Sequence, residues 1–162
     1  MNWRPPRILR SMKRILTRSL LRFGLRLAGD SFQAEDLVQE TLLLAWRGFA
    51  RFEPGTNVRA WLFRILLNVF RQQRRKAQPA LAAETLARAH PVAVSPSRES
   101  VEVRQALERL GSDQRTVLLL AAVEGFTCRE ISEILGVPMG TVMSRLSRAR
   151  EAMRELLSEV ML

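Results

Sequence analysis

Apolar residues recur every three or four positions along most of this chain, and no run alternates long enough for a hairpin or a half-buried strand. That period predicts helices throughout. Ile8, Met12, Ile15 or Leu16, Leu20, Phe23 and Leu27 make one amphipathic helix that ends near Gly29 and Asp30. A second is expected over about 34–49, with Leu37, Val38, Leu42, Ala45, Trp46 and Phe49 as its apolar side. Pro54-Gly55 is a turn signal, after which Thr56 or Asn57 can cap a third helix reaching about Lys76. Between 77 and 98 the character changes: Pro79, Pro91 and Pro96 fall among many alanines with few large apolar residues. This reads as a flexible linker, with at most a helical turn around 82–89. Helices resume near Glu99 and are broken at Gly111, Gly125 and Gly136. The expected fold is all-α, with small helical domains over 1–76 and 99–162 joined by that linker.

The most specific pattern lies between Thr127 and Leu157. Thr127 and Glu130 have the spacing of a capping box, which starts a helix by satisfying its free N–H groups. That helix would bury Ile131, Ile134 and Leu135, and Gly136 would end it in the left-handed conformation. Val137-Pro138 then starts a second helix, with small Ser132 facing the crossing point. Val142, Leu146, Ala149 and Met153 form the inward stripe of that helix. Thr141, Ser144, Arg145 and Arg148 lie on another side, toward its N-terminal end. Short helix, glycine turn and longer helix are the DNA-reading helix-turn-helix, and arginines there can pair bidentately with guanine. The competing reading is an ordinary helical hairpin with a solvated basic face. Upstream, a bracing helix over 113–124 would bury Val117, Leu118, Leu120 and Ala121.

Charge supports a polyanionic partner. The 162 residues carry 26 Lys+Arg against 16 Asp+Glu, a net +10, and only Lys13 and Lys76 are lysine. A GC-rich codon bias is the alternative source of the arginines. Cys128 is the one cysteine and His90 the one histidine, so neither a disulfide within the chain nor a multi-histidine metal site is expected, and no cofactor. No apolar run approaches the ~20 residues of a membrane span, and there is no signal-peptide pattern, which points to the cytoplasm. The carboxylate cluster or histidine dyad that a nuclease would need is not apparent, so we expect no enzyme.

In the first domain, Asp36, Glu40, Leu43 and Arg47 line one stripe of the second helix. A leucine inside a charged stripe suits a partner-facing surface; burial on a wide arc is the alternative. The third helix carries Trp61, Phe63, Ile65, Leu66, Val69 and Phe70, then Arg71, Arg74, Arg75 and Lys76. Cations at a helix end complement its dipole. Aromatics interleaved with arginines could instead stack single-stranded bases, although most suit a core. Cys128 falls in the first turn of its helix, as a small filler or, less simply, a redox switch.

The stretch AEDLVQETLLLAWRGFARFEPGTNVRAWLFRILLN, residues 34–68, resembles region 2 of the extracytoplasmic-function sigma factors of bacteria. The stretch LGSDQRTVLLLAAVEGFTCREISEILGVPMGTVMSRLSRAREAMREL, residues 110–156, resembles their region 4. The two occur in the family's order with a linker of family-like length between them. The resemblance implies an alternative sigma factor: a subunit that binds core RNA polymerase, through its β′ and β subunits, and directs promoter recognition, often under an anti-sigma factor. Asp36, Gln39, Glu40, Leu43, Trp46 and Arg47 would then bind polymerase. Asn57, Arg59, Arg64, Asn68 and Arg71 would recognise the −10 element, with one flipped base held near the loop Gly55-Thr56-Asn57. Thr141, Ser144, Arg145 and Arg148 would read the −35 duplex.

The chain departs from the family's pattern at Met143, where lysine or arginine is usual, at Leu44, often basic, and at Gln72, often aspartate. Its first helix is also unusually basic, with eight Lys/Arg before the first acidic residue, Asp30. That helix could add nonspecific DNA affinity or bind an acidic anti-sigma partner. Two other readings stay open. One is a stand-alone helix-turn-helix repressor, which would need a dimer seam; the other is a sigma-like decoy for an anti-sigma protein, which the arginines on the reading helix argue against.

Overall fold

Helices α1 (Arg7–Ala28) and α2 (Ser31–Gly48) are hinged at Gly29, whose φ of +73° lies in the left-handed region that favours glycine. Asp30 follows as the N-cap of α2, its carboxylate accepting from the N–H of Phe32 at 2.8 Å and of Gln33 at 3.4 Å. The cap therefore starts α2 at Ser31, earlier than the apolar pattern places it, because capping and not burial sets a helix start. The computed structural model describes residues 7–81 and 98–160. A helical turn at 82–89, His90, and the side chains of Ile8 and Met12 lie outside the described residues. Those residues contain helices and turns and no strand.

The chain divides into two compact units, Met1–Ala89 and His90–Leu162. In the first, α1 and α3 (Val58–Leu81) pack on α2. Leu16, Leu20, Phe23 and Leu27 of α1 point inward, whereas Ile15 is 73% exposed, which settles the ambiguity at that turn. They meet Ala34, Leu37, Val38 and Ala45 of α2, and Leu62, Phe63, Leu66, Leu67, Val69 and Phe70 of α3. Phe23 and Phe63 pack edge to face with centroids 5.1 Å apart. Thr41 is fully buried, and its hydroxyl is satisfied by donating to the Leu37 carbonyl at 2.7 Å. α1 comes close to α2 at Gly24, where an added Cβ would sit 3.6 Å from that of Ala34. α3 continues through Pro79 to Leu81, beyond the expected end near Lys76. Proline removes one main-chain hydrogen bond there, while Ala77, Ala80 and Leu81 are strong helix formers.

In the second unit, α4 (Arg98–Arg109), α5 (Ser112–Leu118) and α6 (Cys128–Leu135) all contact α7 (Met139–Val160). The helix expected over 113–124 is α5 followed by a π-helical segment, Leu119–Val123, closed by Glu124 N–H donating to the Leu119 carbonyl at 3.1 Å. Five consecutive residues, Thr116 to Leu120, are buried, more than one helix face can supply; Ala121, expected in the core, is only half-buried. A wider turn accommodates that run. The Arg115 side chain ties α5 to the end of α4, donating to the carbonyls of Leu107 and Glu108 at 2.7 Å and of Leu110 at 3.2 Å.

Gly136, with φ +66° and ψ 34°, ends α6. No heavy atom lies within 4 Å of a Cβ built there, so alanine would be opposed by its backbone conformation alone. Gly136→Ala should destabilise the second unit by about 1–2 kcal/mol in urea unfolding, without a change in the slope that reports buried surface.

Candidate nucleic-acid interface

The turn between α6 and α7 is built from short-range hydrogen bonds. Thr127 and Glu130 form the reciprocal capping box, with Glu130 N–H to Thr127 Oγ1 at 3.2 Å and Thr127 N–H to Glu130 Oε2 at 2.8 Å. Ile131, Ile134 and Leu135 are buried. Gly136 and Val137 donate back to the Ser132 carbonyl at 2.9 and 3.3 Å. Ser132 is more than a small residue at a crossing: its hydroxyl donates to the Val137 carbonyl at 2.6 Å and locks α6 to the turn. The Pro138 carbonyl then accepts from Thr141 and Val142, which opens α7.

Val142, Leu146 and Ala149 of α7 are buried, and Met153 is half-buried farther along the same stripe. Rotation of roughly 100° per residue puts Thr141, Ser144, Arg145 and Arg148 together on one outward arc. Ser144 and Arg148 are exposed, and Thr141 and Arg145 are half-buried. Ser144 donates its hydroxyl to the Thr141 carbonyl at 3.0 Å. The Arg145 guanidinium is held by Asp113 of α5 at 2.9 Å. Met139 and Met143 are exposed on the other flank of the same helix end. Cys128 is a half-buried free thiol at the first residue of α6.

In the first unit, Phe49, Phe52 and Trp61 form an aromatic cluster beneath the loop that precedes α3, with Phe52 and Trp61 centroids 5.0 Å apart. Gly55 turns that loop with φ +90°, and Thr56 is tied to the Glu53 carbonyl through its hydroxyl at 2.7 Å. Asn57 is the residue that caps α3: its Oδ1 accepts from Ala60 N–H at 3.1 Å. Arg64, Asn68 and Arg71 follow at spacings of four and three and share a stripe that is mostly exposed. Arg59 does not join them. It lies on the opposite side of the first turn, its guanidinium 5.5 Å from the centre of the Phe63 ring.

The outward stripe of α2 holds Asp36, Gln39, Glu40, Leu43, Trp46 and Arg47 together. Leu43 is 49% exposed and Trp46 55%, so this helix is not buried on a wide arc. Trp46 was expected on the apolar side that packs inward; it faces out, because Ala34, Leu37, Val38, Thr41 and Ala45 already fill the contact. Glu40 reaches α3, accepting from Gln73 Nε2 at 2.9 Å. Sequence reading missed a further feature of the second unit, an apolar groove of about 500 Å³ lined by Val103 and Leu107 of α4, Leu119 and Val123 of the π segment, and Met153 of α7, with Arg154 among its walls. Its walls come from three segments whose periodicity says nothing of their mutual placement. Among the described residues, no group of three or more His, Cys, Asp or Glu could hold a metal ion, and no helix is long and apolar enough to cross a membrane.

A helix-turn-helix unit following a separate three-helix unit with an exposed mixed face is the architecture of a sigma-70-type initiation factor. The family models described as Sigma-70 region 2 and Sigma-70, region 4 match residues 12–79 and 100–153. Over 143 residues the chain is 39% identical to the ECF RNA polymerase sigma factor EcfG of Rhodopseudomonas palustris, covering 86% of this chain and 79% of that one. It also matches the solved structure of the sigma factor RpoE in complex with the anti-sigma factor NepR from Bartonella quintana. There the TM-score is 0.84 at 34% identity, over 94% of this chain and 98% of that one. A second solved match is CnrH in complex with the cytosolic domain of CnrY, with a TM-score of 0.63 at 28% identity over 94% and 86% of the two chains. The chain belongs to the extracytoplasmic-function (ECF) sigma factors, which are transcription initiation factors and not enzymes.

Trp46, exposed on α2, and Trp61, packed in the aromatic cluster, give a direct check. Trp46→Ala should change unfolding free energy by no more than about 0.5 kcal/mol, as for a surface position. Trp61→Ala, which dissolves the aromatic cluster, should cost about 2 kcal/mol or more in the same urea titration.

Proposed function

We propose that this protein is an alternative sigma factor whose two units divide promoter recognition between them, with the second reading the −35 duplex. The observation that carries this is the outward arc of Thr141, Ser144, Arg145 and Arg148 at the N-terminal end of α7, held by a hydrogen-bonded turn. A helix so placed enters a major groove with those side chains toward base edges. The first unit docks on core RNA polymerase through the stripe of Asp36, Gln39, Glu40, Leu43, Trp46 and Arg47. The loop at Asn57, with Arg64, Asn68 and Arg71 along one stripe, captures the opened −10 strand. Opening is then a binding effect: holding unstacked bases offsets the few kcal/mol of separating them. Polymerase supplies the chemistry, and the protein acts in the cytoplasm.

Control by an anti-sigma protein fits the same reading. Two of the structures it resembles, RpoE and CnrH, are bound to such partners or to a partner's cytosolic domain. A partner covering the exposed Leu43–Trp46 face would compete directly with polymerase.

Transcription by purified core polymerase on a genomic promoter library, with and without the protein, tests the assignment. New start sites sharing −35 and −10 motifs are expected. Binding to duplex DNA with no initiation would replace the sigma reading with a stand-alone repressor. Within that system, Arg145→Ala should weaken −35 recognition by about 1–3 kcal/mol and leave polymerase binding intact, whereas Trp46→Ala should do the reverse. Loss of both functions in either variant would refute the division of labour.

A further inference from the structure

We propose that Asp113 is a positioning residue for promoter reading: its carboxylate sets the pose of the Arg145 guanidinium and so determines how strictly guanine is required opposite it. This rests on the assignment of Arg145 to base readout made above.

The Arg145–Asp113 contact differs from the other ion pairs described in this unit. Arg104–Glu108, Arg109–Glu159 and Arg129–Glu133 span 3.7–4.0 Å, and each of their side chains is more than half exposed. Pairs of that kind hold little in place. Arg145 Nη2 meets Asp113 Oδ2 at 2.9 Å, and the arginine side chain is only 28% exposed. The carboxylate is itself on a fixed platform. It sits in the first turn of α5, where the helix dipole favours negative charge, and Arg115 clamps α5 to α4 through three carbonyls. α5 in turn packs on α7. The contact occupies one N–H of Nη2, so the guanidinium keeps the other Nη2 hydrogen, together with those of Nη1 and Nε, as donors toward a base edge.

Two consequences pull in opposite directions. A guanidinium already ordered loses less rotamer freedom on meeting guanine, and its fork arrives in one plane, which sharpens base choice. The same carboxylate, 63% exposed beside a DNA-facing helix, repels phosphate and weakens sequence-independent binding. Asp113 therefore raises the ratio of specific to nonspecific binding from both sides. A residue that only supported the fold would alter neither the base preference nor the salt dependence.

The test uses the full chain with core polymerase. Binding is measured to a promoter fragment, to the same fragment with each −35 guanine replaced, and to an unrelated duplex, across salt concentrations. Asp113→Asn, nearly identical in shape, is compared with Arg145→Ala and with the double variant, after circular dichroism shows all three to be folded. For Asp113→Asn we expect guanine preference at one position to fall about tenfold, within the range that one good base contact supplies. Affinity for the unrelated duplex should rise several-fold, with a steeper salt dependence. The double variant should show no further loss of base preference beyond Arg145→Ala. If Arg145→Ala loses the preference and Asp113→Asn keeps it, the positioning role is wrong and the reading of Arg145 stands. If Asp113→Asn strengthens specific and nonspecific binding equally, the carboxylate is a mask and the proposal is overturned. If Arg145→Ala keeps the preference, the assignment of Arg145 fails and the proposal with it.

Discussion

The second unit hangs on one seam. α7, which buries Val142, Leu146 and Ala149, is the helix against which α4, α5 and α6 are all set. α5 and α6 do not hold their angles alone: α6 is eight residues long and α5 seven, below the length at which an isolated helix persists in water. Their stability comes from burial on α7 and from the bonds at their ends. Changing the seam would therefore alter the direction in which Arg145 and Arg148 leave the helix, because the turn, the platform under Asp113 and the reading face share that support.

The first unit solves a different problem. It has a core of ordinary composition on α1, α2 and α3, and yet it leaves Leu43 and Trp46 of α2 in water. A side chain as large as tryptophan turned outward is uncommon unless a partner covers it. The inner face of α2 is made from Leu37 and the smaller Ala34, Val38, Thr41 and Ala45, and at Ala34 a neighbouring helix comes close. In the loop before α3, the aromatic cluster packs beside a turn whose polar side chains first serve the backbone: the Thr56 hydroxyl donates to the Glu53 carbonyl and Asn57 caps α3.

Much of this was legible in the sequence. The period of apolar residues located the helices, and Thr127, Glu130 and Gly136 announced the helix-turn-helix, because capping and left-handed turns are local effects with specific residue requirements. The grouping of Asp36, Glu40, Leu43 and Arg47 and of Thr141 to Arg148 followed from helical rotation alone, whereas Gln39 and Trp46 came from the family resemblance. What periodicity could not reveal depends on chain segments far apart. The Asp113–Arg145 contact joins residues on separate helices, and the apolar groove needs three segments brought together. Trp46 faces out, against its apolar-side expectation, for a related reason: hydrophobicity at the end of a helix does not say which neighbour is already there. The π-helical turn was hidden because a continuous leucine run reads as helix at either width.

The two groups proposed to face DNA share one further property. Every cation among Arg64, Arg71, Arg145 and Arg148 is arginine. Guanidinium groups stay charged at any pH a cell reaches, and the lysine acetylation that neutralises other basic surfaces does not act on them. The positive charge of those two surfaces is therefore permanent from synthesis to degradation. Activity in such a molecule has to be governed by occupancy, by which macromolecule reaches the surface first and how long it stays.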